Sequence, residues 1–435
     1  MPEGQKVNFP RVLIISNNCL SRTDSNGRTM RNFLERWPKE KLAQFYIQNS
    51  EPDFSVCRNF FRVTDGQALR AFLGKGISGG PVQEEKPEPL SGNPVGGGRK
   101  HTRTALTMLL REIVWNSRRW YGSEFQSWLD DFAPQVVLLQ AGDCGFMFRL
   151  AEDIARRYHA KLVIYNSEAY YFKPFDYFRA KGLAHWAYPL FRNAFCRQFR
   201  RTISRAACSI YLCERLREDY DREFGLPSEV IYTATAQKTA AREQKERNGF
   251  IVSYLGNLGV GRHEPLVEIA SALQEISPDL YLDVYGKIPN DTVQQAFDAC
   301  PGIRYKGFVS YEQVVEVMHS SDLLVHCENF SGFYREDLKY AFSTKIADSL
   351  ASGTCFLLYA PTEMACTHYL VTNEAAWVAS EQKELQEILR LLVQEPQERE
   401  RYLAQAAAVV AKNHSLEENA KKFQEILRKV WEMDE

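Results

Sequence analysis

Strand-like apolar runs alternate with helical patterns along this chain, stop at a charged stretch, and then begin again. That double alternation restricts the fold more than any other feature. Arg11-Val12-Leu13-Ile14-Ile15-Ser16 has the composition of a buried strand, with a polar exit loop from Asn17 to Gly27 and a helix from about Arg28 to Arg36. Further strands are expected at Phe45–Gln48, Phe60–Val63, Val136–Leu139, Leu162–Tyr165, Ser209–Leu212 and Val230–Tyr232. Helical patterns separate most of them, which favours a parallel sheet covered on both faces. From Thr235 to Asn248 the chain is charged and lacks a hydrophobic face, as a linker does. Strands at Ile251–Leu255, Tyr281–Tyr285, Ile303–Tyr305 and Leu323–His326 then alternate with helices from about Pro265, Asp291 and Tyr311. The expected fold is α/β, with two doubly wound domains facing a central cleft.

At 435 residues each half is long enough for its own core. The expected domains are 1–235, 236–412 and a final amphipathic helix in 413–435 with Ser415 as its N-cap. Residues 76–103 carry Gly79-Gly80-Pro81, Pro87-Glu88-Pro89 and Gly96-Gly97-Gly98 with few apolar anchors, so they read as a mobile loop inside the first domain.

Hydrophobic residues make up 45% and aromatics 12%, which excludes a disordered chain. Lys and Arg number 54 against 55 Asp and Glu, a formal charge of -1 that argues against bulk nucleic-acid binding. The ten cysteines stand singly, without CxxC pairs or zinc spacing, as in a reducing compartment. No apolar stretch approaches the ~18 residues of a membrane span, and the N-terminus lacks a signal-like apolar core. A cytoplasmic location is expected, with contact at the inner membrane face left open.

The segment Phe342 to Gly353 reads as a short helix. Ser343 is a natural N-cap, Ile346, Ala347, Leu350 and Ala351 form a buried stripe, and Lys345 and Asp348 share the opposite, outward side. First-turn N–H groups beside an ammonium suit a diphosphate, and a carboxylate one turn further suits the hydroxyls of a ribose. An ordinary capped helix would carry the same cap and stripe. Leu255-Gly256-Asn257-Leu258-Gly259-Val260-Gly261-Arg262 places a glycine-rich strand exit and a cation before a helix, although these glycines do not spell the dinucleotide fingerprint. Gly307-Phe308-Val309-Ser310-Tyr311 is a third strand exit, followed by a helix ending at Ser321-Asp322.

These three motifs in this order resemble the GT-B glycosyltransferases, and the second half is similar to the donor domain of retaining enzymes of family four, many of which build capsular and exopolysaccharides. The resemblance covers roughly residues 250–412, and more loosely the first half, where Asn26-Gly27-Arg28-Thr29 matches the short glycine loop. It implies two Rossmann-like domains and a hexosyltransferase using a nucleotide diphosphate sugar, with UDP the expected nucleotide. Arg262 and Lys345 would neutralise the departing diphosphate. Ser343 and Thr344 would add contacts to it, and the loop glycines Gly259, Gly261 and Gly27 would let backbone approach. Gly307, Phe308 and Val309 would frame the base, with Tyr285 close by, and Asp348 would hold the ribose in the place of the family's final glutamate. Where the family carries a first glutamate, this chain has Tyr340; the sugar-facing acid is then Glu328, Glu336 or Asp337, or is absent.

Asp143 and Glu168 follow expected parallel strands, where ligands gather in open α/β sheets. Either could orient or deprotonate an acceptor hydroxyl, or simply cap a helix. His326 reads as a strand residue near the cleft. The pair Asp219 and Asp221 spells a metal-binding motif of the other large glycosyltransferase fold, but it lies in a charge-rich helical run that reads as a solvated face, so no metal site is expected. From Pro189 to Arg205, Phe191, Phe195, Phe199 and Ile203 recur on one side and Arg197, Arg200, Arg201 and Arg205 on the other. A packed domain helix is favoured over a membrane-surface helix, and Leu106 to Phe132 leaves the same choice. No organic cofactor is expected; the partners are a nucleotide-sugar donor and a glycan or lipid-linked acceptor in cell-surface polysaccharide synthesis. A nucleotide-sugar epimerase and a non-catalytic nucleotide-binding partner of another transferase remain as alternatives.

Overall fold

The computed structural model describes residues 8–22, 25–76, 79–84, 103–179, 181–237 and 249–433. Most of the proline- and glycine-rich stretch expected to be a loop, and most of the charged stretch expected to be a linker, lie outside the described residues. The chain forms two compact units. One comprises residues 1–211, 219–230 and 420–435, the other 212–218 and 231–419.

The first unit holds an eight-stranded sheet. Its strands are β1 (Val12–Ser16), β2 (Leu42–Tyr46), β3 (Asn59–Arg62), β4 (Gly80–Val82), β5 (Val136–Gln140), β6 (Lys161–Asn166), β7 (Cys208–Tyr211) and β8 (Ser228–Val230). Their order is β4-β3-β2-β1-β5-β6-β7-β8. All neighbours are parallel except β4, which pairs antiparallel with β3 through Phe60–Val82 and Arg62–Gly80. The expectation of loop from residue 76 onward is corrected there. Pro81 donates no N–H, which an edge strand tolerates because only one side is paired. β1 and β5 are buried along their whole length, as strands covered by helices on both faces must be.

The second unit holds six parallel strands: β9 (Val252–Leu255), β10 (Leu282–Tyr285), β11 (Ile303–Gly307), β12 (Leu323–Cys327), β13 (Cys355–Tyr359) and β14 (Trp377–Ala379). The order is β11-β10-β9-β12-β13-β14. Its core joins Val252, Tyr254, Leu282 and Leu323 to Leu266, Ile269 and Leu273 of the helix His263–Ile276.

Each sheet therefore reverses its winding direction once, between β1 and β5 in the first unit and between β9 and β12 in the second. Loops leaving the carboxyl ends of strands on either side of such a reversal diverge and open a crevice.

Helix Tyr188–Ile203 buries Phe191, Phe195, Phe199 and Ile203, so the packed reading holds. Three arginines at and just beyond its end are engaged: Arg201 pairs with buried Glu152 at 3.1 Å, Arg205 pairs with the same carboxylate, and Arg200 donates to the Tyr171 hydroxyl at 2.6 Å. All ten cysteines are free thiols, nine of them buried.

Candidate functional site

In the second unit the reversal point brings together two loops far apart in sequence. After β9 the chain passes Asn257, whose side chain accepts from the Gly259 N–H at 2.8 Å and tightens the turn. Val260 and Gly261 then take left-handed backbone angles, φ 54° and 76°. For a β-branched residue that is strained, and such strain gathers at ligand loops. Gly261 is required twice: by its φ, and because a Cβ there would collide with the Tyr334 ring and the Asn329 amide. The turn delivers Arg262 to the cap of helix His263–Ile276.

Arg262 is buried. Its guanidinium grips Glu328 at the exit of β12 with two bonds, Nη2–Oε1 2.6 Å and Nε–Oε2 3.1 Å, and Nε also donates to the Cys327 carbonyl at 3.2 Å. His326 Nε2 stands 3.2 Å from the same carboxylate. Burial lowers the His326 pKa, so the neutral ring donates its Nε2–H to Glu328. Burial alone would raise the Glu328 carboxyl; the His326 hydrogen bond and the Arg262 charge outweigh it and hold it below the usual range. Asn329 completes the cluster, donating to the Gly261 carbonyl at 2.7 Å and to Glu264 at 2.9 Å.

Ser343 caps helix Thr344–Ala351, as expected, by accepting from the Lys345 N–H at 3.3 Å. Asp348 does not face outward. It is buried, and it accepts from the Thr235 hydroxyl at 2.7 Å and from Lys345 Nζ at 3.1 Å. The reason is tertiary: residue 235 comes back against this helix, pairing with Ser415 in an isolated bridge, and covers what would otherwise be its solvent side. Lys345 keeps about a quarter of its side chain exposed and lies 5.5 Å from the centre of the Tyr311 ring. Phe308 is 79% exposed beside Tyr311, Gly307 ends β11 with φ 83°, and Tyr285 and Val309 are half-buried. Thr344 is half-buried at the helix start.

In the first unit the reversal point carries a cleft of about 850 Å³, lined by Asn17, Asn26, Thr64, Arg103, Asp143 and Tyr170 among others. A smaller hollow of about 40 Å³ adjoins it beside Gly142, Ser167 and Glu168. Asp143 and Glu168, expected at strand ends, thus line neighbouring spaces, Asp143 the cleft and Glu168 the hollow, with Asn17, Asn26 and Tyr170 common to both. Asp143 is buried, chelated by Arg103 at 2.6 Å, and accepts from the Tyr177 hydroxyl at 3.2 Å. Glu168 is exposed beside the Tyr170 hydroxyl; burial, followed by that carboxylate and Asp143, pushes the Tyr170 phenol far up. Gly27 is needed because a Cβ would fall on the Cys19 carbonyl, so its close approach is to its own entry loop.

Several contributors were not anticipated. Arg103, Arg111 and Tyr177 hold Asp143 and Cys144, and Thr235 holds Asp348 across 113 residues of sequence. No local spacing signals partners so remote. Asp219, expected on a solvated face, is nearly buried and pairs with Arg222 at 2.8 Å, while Asp221 accepts from Ser228 at 2.8 Å. The run is amphipathic after all, with Leu216 and Tyr220 pulling that side inward. Among the described residues no group of three His, Cys, Asp or Glu side chains could hold a metal ion.

Two sheets flanked by helices, parallel except at the β4 edge, match known structures over nearly the whole chain. HepE from Anabaena, solved with UDP, matches with a TM-score of 0.62 at 9% identity, covering 96% of this chain and 100% of its own. The fold is GT-B. Sucrose-phosphate synthase from Thermosynechococcus elongatus matches with a TM-score of 0.61 at 11% identity, covering 98% and 100%. A glycosyltransferase from Rickettsia africae gives 0.58 at 11% identity, covering 97% and 99%. Residues 262–425, most of them in the second unit, match the family model described as glycosyl transferase-like. No curated protein matches the chain.

Proposed function

We propose that the chain is a retaining glycosyltransferase of the hexosyltransferase type, moving a sugar from a UDP-linked donor to a glycan or lipid-linked acceptor in cell-surface polysaccharide synthesis. The observation that carries this reading is the positioning of Lys345 and the Ser343-capped helix end in the unit whose winding reversal presents Arg262. UDP is chosen because HepE, of the same fold, was solved with it. As the bond from the anomeric carbon to the diphosphate breaks, negative charge grows on the leaving oxygen. Lys345 and the helix end would stabilise that charge, and Arg262, held by Glu328, would present its positive field without having to reorganise. The diphosphate itself would help take the acceptor's proton, so this chemistry requires no strong protein base; Asp143 and Glu168 would orient the acceptor hydroxyl. Asp348 would take the ribose, sharing it with Thr235. Gly307 to Val309 and Tyr285 would frame the uracil.

Purified protein incubated with labelled UDP-sugars, with and without membrane lipid extract, tests the reading. Acceptor-dependent UDP release with the donor's anomeric configuration kept in the product is expected. Sugar isomerisation without acceptor would make the chain an epimerase, and binding without turnover a non-catalytic partner.

A further inference from the structure

Large apolar side chains are not spread evenly over the surface. Among the described residues, eight of the thirteen that remain exposed stand on three segments of the first unit, 65–76, 103–119 and 173–197. Helix Ala105–Asn116 is apolar on two sides. Met108 and Trp115 face the core, while Leu106, Leu110 and Ile113, at helical spacing, are 46%, 54% and 58% exposed. Leu183, Trp186 and Leu190 extend the same kind of surface on the adjoining segment, at 83%, 78% and 67%. The segments are tied together: Arg111 bonds Asp65 at 2.7 Å, Arg119 donates to the Phe72 carbonyl at 2.6 Å, and the helix around Leu183 packs on helix Ala105–Asn116. A face of this kind marks an interaction site rather than ordinary scattered exposure.

Charge distinguishes what covers it. In a chain of net charge -1, these three segments hold eleven Lys and Arg against three Asp and Glu. The three acids are already engaged. Asp65 accepts from Arg111 and Trp115, Glu112 accepts from the Phe146 N–H at 3.1 Å, and Asp176 accepts from the Phe178 N–H at 3.0 Å and faces His185 at 3.1 Å. Arg70, Lys75, Lys181 and Arg197 are exposed. An exposed tryptophan among leucines with cations around them is the composition of a surface that enters the headgroup boundary, apolar groups inward and cations toward lipid phosphates. A second copy of the same basic face would instead meet like charge. No helix among the described residues is long and apolar enough to cross a membrane, so the contact is one of lying on the bilayer.

We propose that this face docks the first unit onto an anionic lipid surface. Leu69, Thr107 and Arg111 also line the 850 Å³ cleft, so the docked face borders the crevice itself. The purpose of the docking rests on the glycosyl-transfer reading, as it would bring a lipid-linked acceptor to that cleft; the docking itself does not. This face differs from the phenylalanine stripe of helix Tyr188–Ile203, which is packed inside.

The test is co-sedimentation of the full chain with vesicles of phosphatidylcholine containing about 30% phosphatidylglycerol, against phosphatidylcholine alone. Binding to the anionic vesicles is expected, weakened by 1 M salt, and reduced about tenfold or more in Leu110→Glu with Trp186→Glu. The thermal shift produced by UDP should be the same in that variant, which shows that it folds and separates docking from nucleotide binding. Vesicle binding without any UDP shift would support docking and overturn the donor reading. Absence of binding by the unaltered chain, or equal sedimentation of the variant, would overturn the proposal. So would a concentration-dependent dimer that the same substitutions dissolve while vesicles capture nothing.

Discussion

Arg262 and Lys345 carry the same charge in different surroundings. Arg262 is closed in with Glu328, whereas Lys345 keeps partial contact with solvent. Removing one member of a buried pair leaves the other charge uncompensated, so Arg262→Met should cost about 3–5 kcal/mol of stability. Lys345→Ala should cost less stability than Arg262→Met, because Asp348 keeps the bond from the Thr235 hydroxyl, yet lower turnover on the order of 10²-fold. Thermal unfolding together with steady-state rates distinguishes the two; full turnover in Lys345→Ala would remove that residue from the mechanism. Asp348 makes a sharper case because Thr235 and Lys345 already share it. Asp348→Asn should weaken UDP by about 1.5–3 kcal/mol, since a charge-assisted acceptor becomes a neutral one. The 2′-deoxy nucleotide should lose less, and calorimetry of the four combinations reads the coupling. Identical losses for both ligands would leave Asp348 a structural acid tying residue 235 to its helix.

At the scale of elements, the stretch just before the last helix carries a buried histidine. His414 Nδ1 lies 2.7 Å from the Thr233 carbonyl and Nε2 lies 2.8 Å from the Tyr369 hydroxyl, so the ring is neutral, donating from one nitrogen and accepting at the other. Burial lowers its pKa to about 4. The unfolded chain binds its proton near pH 6.5, so it holds more protons than the folded one between those values. His414 therefore contributes full stability above about pH 6.5, and the contribution fades as pH falls toward 4, by about 3 kcal/mol in all. Urea unfolding of the second unit at several pH values should follow that slope, and His414→Gln should flatten it. Helix Glu214–Phe224 is the other informative element, since Asp219 and Asp221 are held by Arg222 and Ser228. Turnover should survive a chelator, and Asp221→Asn should remain active; an absolute divalent-ion requirement lost in that variant would reverse this.

At the scale of the molecule, the last helix returns to the first unit. Residues 420–435 belong to the first unit, and Phe423, fully buried, stacks on Phe33 at 4.8 Å and meets Tyr165 edge-on at 6.5 Å. Phe423→Ala should cost about 3–5 kcal/mol, the usual loss for a buried ring. Hydrogen exchange should report the loss in β1 and β6 while β9 to β14 keep their protection. Equal loss in both sheets would mean that the two units unfold as one.

Much of this was written locally. Runs such as Val12–Ser16 and Leu323–Cys327 are apolar throughout because parallel strands are covered on both faces, so the doubly wound fold is legible from composition and alternation alone. The Ser343 cap and the glycine loop before Arg262 were equally legible, since caps and left-handed turns depend on residues within a few positions. What lies opposite each charged group was not. Glu328 opposite Arg262, Thr235 opposite Asp348 and Arg103 opposite Asp143 are separated by 66, 113 and 40 residues. Helical and strand periodicity tells which side of an element is apolar, but not which distant loop covers its polar side; packing of whole elements decides that. For the same reason the exposed leucines of helix Ala105–Asn116 became visible only in three dimensions, where one of its two apolar sides had found a core and the other had not.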